Sequence, residues 1–107
     1  MLGEPKFESR ESAEQKLVRL LKDKGVHDPE ANEFLDKWTR EQEMTIEQAE
    51  DYPLEQIQFN LRRARLYFKA GYVDEALEDF EDARTQAWNE QRTELYEAIM
   101  KEIDKLE

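Results

Sequence analysis

The chain has 107 residues, 40% of them charged and 38% hydrophobic, with 3 Gly, 3 Pro, no Cys and a formal net charge of -11. That length suits one domain around one core, and acids outnumbering bases 27 to 16 argue against nucleic acid or an anionic membrane surface as a main partner, since both are held by clustered Lys and Arg. The missing cysteine excludes a disulfide framework, thiolate chemistry and any Cys-based metal site.

Glu, Lys, Arg, Gln, Ala and Leu dominate, and no stretch alternates polar and apolar residues, so the expected class is all-α. No apolar run approaches the ~20 residues that a bilayer span needs. Met1-Leu2-Gly3-Glu4-Pro5-Lys6 lacks the basic and then apolar pattern of a secretory signal, so a cytoplasmic location is expected.

Residues 1–11 are polar, contain Pro5 and have no periodicity, so they read as a frayed tail. Ser12-Ala13-Glu14-Gln15 has the form of a capping box, and Ala13, Leu17, Leu20 and Leu21 then share one helical face. Gly25 stops this first helix. Asp28-Pro29-Glu30 starts a second: Asp28 caps, Pro29 has the right φ, and Glu30 suits the positive helix end. Ala31, Phe34, Leu35 and Trp38 form its buried stripe. The pattern thins beyond Arg40, and Thr45-Ile46-Glu47-Gln48 looks like another capping box, predicting a short extra helix over 46–51.

Tyr52-Pro53 is the firmest break, because the residue before proline avoids the α region while proline suits a first helical turn. A third helix is predicted from Pro53 to Ala70, with Leu54, Ile57, Leu61, Ala64 and Phe68 on one stripe and Phe59, Leu66 and Tyr67 widening it. Apolar surface this broad predicts a central helix with neighbours on two sides. Gly71 ends it and Asp74 is the expected cap of a fourth helix, whose apolar face is Val73, Ala76, Leu77, Phe80, Ala83 and Ala87. Asn89 is the expected separator before a fifth helix carrying Leu95, Tyr96, Ile99, Ile103 and Leu106. No Gly-, Pro- or Ser-rich linker divides the chain, so 12–107 reads as one domain: a helical pair over 12–51, a hairpin over 53–88 and a capping helix over 90–107.

Within that hairpin, Ala64, Tyr67, Gly71, Ala76, Phe80 and Ala83, with the turn Gly71-Tyr72-Val73-Asp74-Glu75-Ala76, carry a pattern with a packing logic. Small Ala64 and Ala76 let two helices approach, Tyr67 and Phe80 fill the space beside them, Gly71 supplies a positive φ, and Ala83 leaves room for a further helix. From about 57 to 88 the chain resembles a tetratricopeptide repeat, a helix–turn–helix unit of about 34 residues. It departs from the family at Asn60, Arg63 and Val73, and lacks the proline that closes the unit. The resemblance implies antiparallel hairpins stacked as a small array or bundle of about five helices, acting in protein or peptide binding. One repeat cannot bury its own face. The helices before and after it are expected to cover it; failing that, the chain forms a homodimer.

In this family the first-helix face lines a concave groove. Carried over, that face comprises Gln58, Leu61, Arg62, Arg65, Phe68 and Lys69, with cations to attract a carboxylate or acidic peptide and Leu61 and Phe68 for apolar contact. The competing reading has these cations paired internally with acids of neighbouring helices, the fourth being close at hand with Asp74, Glu75, Glu78, Asp79, Glu81 and Asp82, a run that otherwise reads as a solvated face. His27, the single histidine, cannot build a His-Glu-x-x-His site and reads as a loop residue. Ser9 and Ser12 have no base nearby in sequence, and Trp38 and Trp88 read as core or partial core. No catalytic residue, cofactor or metal is expected. The reading is a non-catalytic protein-interaction module, the alternative a structural or oligomerisation domain.

Overall fold

The computed structural model describes residues 11–106. These form helices α1 (Ala13–Lys24), α2 (Pro29–Glu47), α3 (Tyr52–Lys69), α4 (Val73–Asn89) and α5 (Thr93–Leu106), with no strand among them. None of these helices is long and apolar enough to cross a membrane. The expected tail over 1–11 lies outside the described residues except for Glu11, which is held by Arg19 through two contacts of 2.8 and 3.0 Å.

Local chemistry accounts for most helix ends. At α1 both halves of the capping box form, with Gln15 N–H donating to Ser12 Oγ at 3.0 Å and Ser12 N–H to Gln15 Oε1 at 2.9 Å. Asp28 accepts from Ala31 N–H at α2, and Asp51 accepts from Leu54 N–H at α3. Gly25 and Gly71 stand at φ +96° and +93°, where an L side chain is strained.

Several boundaries differ from the reading above. α2 runs unbroken to Glu47, so no separate helix forms over 46–51; Thr45 Oγ1 donates to the Glu41 carbonyl one turn back instead of capping, and Ile46 is buried. Asp74 does not cap α4: the N-cap is Tyr72, without a side-chain bond, and Asp74 sits in the first turn, where negative charge is favourable. Asn89, the expected separator, is the last residue of α4; the break falls over 90–92, where Gln91 takes the left-handed conformation at φ 59°. The Arg92 N–H to Ala87 carbonyl bond repeats the Tyr72 N–H to Tyr67 carbonyl bond of the preceding turn, so both turns close alike although only one has glycine.

The width of α3's apolar surface explains the packing. One side of it, Phe59, Leu66 and Ala70, joins Leu17, Leu20, Leu21, Ala31, Trp38 and Ile46 from α1 and α2. The other side, Ile57, Leu61 and Ala64, joins Ala76, Phe80, Ala83 and Ala87 of α4 and Ile99 and Ile103 of α5. Tyr67 packs against both clusters. Trp38 meets Phe59 with ring centroids 5.6 Å apart and is 3% exposed, as expected of a core residue. Ala13 and Val73, expected on buried faces, are exposed.

α3 and α4 are the most extensively packed pair, meeting through Ala64, Ala76 and Ala83, each 0% exposed. A polar clasp runs beside these alanines. Arg63 donates to both Asp79 oxygens at 2.8 and 2.9 Å, and Asn60 donates to Gln86 Oε1 at 2.7 Å. Asp79 is therefore buried and does not belong to a solvated acidic face. Arg63 also lies over the Phe59 ring at 5.2 Å, and its pKa is raised first by the bond to Asp79. Burial pushes the neighbouring Tyr67 hydroxyl up. Removing one partner of such a pair leaves the other uncompensated. Arg63→Met is expected to cost about 2 kcal/mol in urea unfolding, and Arg63→Met/Asp79→Leu to recover part of that loss. A single variant as stable as wild type would deny the clasp its role.

Candidate functional site

The face of α3 carrying Arg62, Arg65 and Lys69 looks across an open cleft to α1. The cleft holds about 500 Å³ and is lined by Ser12, Glu14, Gln15 and Val18 of α1 and by Arg62, Arg65, Leu66 and Lys69 of α3. The spacing i, i+3, i+4, i+7 on α3 places all four of its contributors on one stripe. Val18 and Leu66 form the apolar floor, both packing with the first core cluster beneath.

The cations differ in how they are held. Arg65 grips Glu102 of α5 through two bonds of 2.8 and 2.9 Å. Arg62 donates from Nη2 to Gln42 Oε1 at 2.8 Å, while its Nε is buried with no hydrogen-bond partner among the described residues. Lys69 is exposed at the end of the stripe and forms no ion pair among those residues. Internal pairing with a neighbouring helix therefore holds for Arg65, through α5 instead of α4, while Arg62 and Lys69 form no ion pair among the described residues. Three cations against Glu14 and Glu102 leave the cleft locally positive by one charge, on a chain of net charge -11.

Not every residue expected here faces the cleft. Leu61 packs in the second core cluster and does not line the cleft; Leu66, equally buried but in the first cluster beneath the cleft, is the α3 leucine that lines it. Phe68 is 39% exposed but does not line the cleft, and half-buried Gln58 does not line it either. Glu102 and Gln42 were not legible as members of the site, because both come from distant segments and reach α3 only once the helices pack. A second open cleft, between α1 and α2, is lined by Lys16, Leu20, Glu30, Glu33, Phe34, Lys37 and Arg40. There Lys16 lies over the Phe34 ring at 4.7 Å and no arginine pair is present, so it offers weaker carboxylate geometry.

Trp88, expected in the core or partly so, is 65% exposed and leans on Tyr96, with ring centroids 5.1 Å apart. His27 lies exposed in the α1–α2 turn, and Ser12 serves as the α1 cap. Ser9 lies outside the described residues. Among the described residues no group of three or more His, Asp or Glu side chains is placed to hold a metal ion.

The Arg65 guanidinium holds the Glu102 carboxyl below its usual range, with partial burial opposing, and the same bond raises Arg65. Because the folded pKa of Glu102 lies below the unfolded one, the pair contributes in full above the ordinary carboxyl value of 4.5 and is lost as pH falls through the lower folded value. The pair is largely exposed, so screening keeps its contribution to about 1 kcal/mol or less. Glu102→Gln is therefore expected to lower the melting temperature slightly near neutral pH and not at all in acid, as followed by circular dichroism; an equal loss at both would assign the effect to packing.

No family model matches the chain, and the searches of curated proteins and of solved structures found no match.

Proposed function

We propose that this protein is a non-catalytic interaction module, similar to a tetratricopeptide repeat in its central hairpin, which takes an acidic peptide segment into the α1–α3 cleft. The observation that carries this reading is the convergence of Arg62, Arg65 and Lys69 on one open cleft with an apolar floor. Arginine offers paired donors to a carboxylate. At physiological ionic strength charges further than ~8 Å are largely screened, so the cleft's own cations dominate over the remote acids.

The repeat reading is supported by the α3–α4 contact through Ala64, Ala76 and Ala83 and by Gly71 in its positive-φ turn. It is further supported by α1 and α5 both reaching the Arg65 side of α3, the arrangement expected when first helices of successive hairpins share a groove. A cytoplasmic site of action belongs to the same proposal.

The test uses a labelled peptide in which Asp and Glu alternate with Leu, and a Lys counterpart as control, followed by fluorescence anisotropy. Arg62→Glu/Lys69→Glu is expected to weaken the acidic peptide by tenfold or more, while leaving the circular dichroism melt within a few degrees, since both side chains are at least partly solvated. Binding of the acidic peptide should also fall with added salt. Undiminished binding by the double variant at low salt would remove the cleft from consideration.

A further inference from the structure

We propose that the surface formed by Trp88, Tyr96 and Met100 between α4 and α5, which shares no residue with the cleft, is a docking site for a basic amphipathic helix of a partner protein. Trp88 is 65% exposed, yet it is not loose: its ring rests on Tyr96 at 5.1 Å. Met100 continues that side of α5 one turn on, and Arg84 of α4 reaches its sulfur at 3.6 Å. The result is a pre-positioned aromatic and thioether strip between two helices, the kind of groove into which an amphipathic helix lays its apolar face. A Trp already held in place loses little freedom on binding, and Trp is enriched among residues that dominate interface energetics. Beside it a shallow pocket of about 390 Å³ is lined by Trp88, Asn89, Gln91, Arg92 and Thr93, with room for an anchoring side chain.

Charge selects the occupant. On α4, Glu81 lies seven residues before Trp88 on the same helical stripe and Glu78 lies a further three back; both are exposed. On α5, Glu97 follows Tyr96 and Lys101 follows Met100, both exposed, while Glu90 and Glu94 flank the turn that also carries Arg92, so acids still outnumber bases around the strip. Arg84, by contrast, is half-buried and turned onto Met100. A partner helix seated on Trp88 would therefore carry Lys or Arg about two turns, roughly 10 Å, from its apolar anchor. A second copy of this chain would bring the same acids to the same surface, and like charges opposed across an interface weaken it. This site is separate from the α1–α3 cleft and stands or falls independently of it.

The probe is a synthetic helical peptide with Leu at i, i+3, i+4 and i+7 and Lys elsewhere. It is compared with a Glu version of the same pattern and with a scrambled Leu/Lys peptide that has no apolar stripe. Trp38 is 3% exposed, so acrylamide quenching reports on Trp88. The amphipathic Lys peptide is expected to shield Trp88 from acrylamide. In anisotropy with the labelled peptide, Trp88→Ala should weaken it about tenfold or more. Glu81→Lys/Glu97→Lys should weaken it without disturbing the fold, because both residues are exposed. The proposal is overturned if the scrambled or Glu peptide binds as tightly, or if neither variant changes affinity. It is also overturned if Trp88 becomes shielded simply on raising the protein concentration, which would assign the face to a second copy. Should Trp88→Ala lose its helical signal, the Glu81→Lys/Glu97→Lys variant alone decides.

Discussion

Helix α3 carries apolar side chains over too wide an arc for one neighbour to cover, and the rest of the fold answers that demand. Phe59 and Leu66 point towards α1 and α2, while Ile57, Leu61 and Ala64 point towards α4 and α5. The aromatic ring of Tyr67 spans the seam between the two clusters, so neither half of the molecule can shift against α3 without disturbing the other. Tethers at the turns reinforce this. Tyr72 Oη donates to the Leu21 carbonyl at 2.9 Å, tying the α3–α4 turn to the end of α1, and Arg92 donates to Asp51 at 2.7 Å, tying the α4–α5 turn to the start of α3. Gly25 stands beside that same Tyr72 hydroxyl, where a Cβ would meet it at an ordinary contact of 3.7 Å, so it is the positive φ and not the space that calls for glycine.

How much of this was legible in the sequence depended on whether a residue's role was local. The Ser12 capping box, Asp28 before Pro29, and the Gly71 turn are determined within a few residues of chain, and the structure has all of them. The two-sided surface of α3 was legible because amphipathic width is a property of a single helix. Roles set by tertiary contact were not. Thr45-Ile46-Glu47-Gln48 has the composition of a helix start, but Ile46 is needed in the first core cluster, and burying it keeps α2 helical through that point. Asp79 looked like one more acid in a run of six, and only the approach of Arg63 from α3 distinguishes it.

The same limit applied to the candidate site. The stripe Arg62, Arg65, Lys69 follows from helical spacing and does converge on one cleft, whereas Leu61 belongs to the opposite side of α3. The error is one of angle: Leu61 is next to Arg62 in the chain but about 100° away around the helix, which is enough to move it from one cluster's side to the other's. Trp88 failed as a core expectation for a related reason. Its helix buries Ala76, Phe80, Ala83 and Ala87, and a residue adjacent to Ala87 is carried round to the outer surface.

The Arg65–Glu102 pair bears directly on how the cleft would treat a ligand. Glu102 already presents a carboxylate to Arg65 in the two-bond geometry that an acidic peptide would seek. A peptide that takes Arg65 must displace it, and an exposed pair of this kind contributes at most about 1 kcal/mol, or roughly fivefold in affinity. On the proposed function, occupation by Glu102 would therefore lower affinity modestly without closing the cleft. It also changes what displacement does, because Glu102 is the contact by which α5 reaches the cleft face of α3. A ligand that used only Arg62 and Lys69 would leave α5 where it is; one that engaged Arg65 would release the Glu102 side chain into solvent. On the proposed function, the cleft would separate acidic ligands by whether a second carboxylate reaches Arg65, a discrimination set by spacing along the α3 stripe.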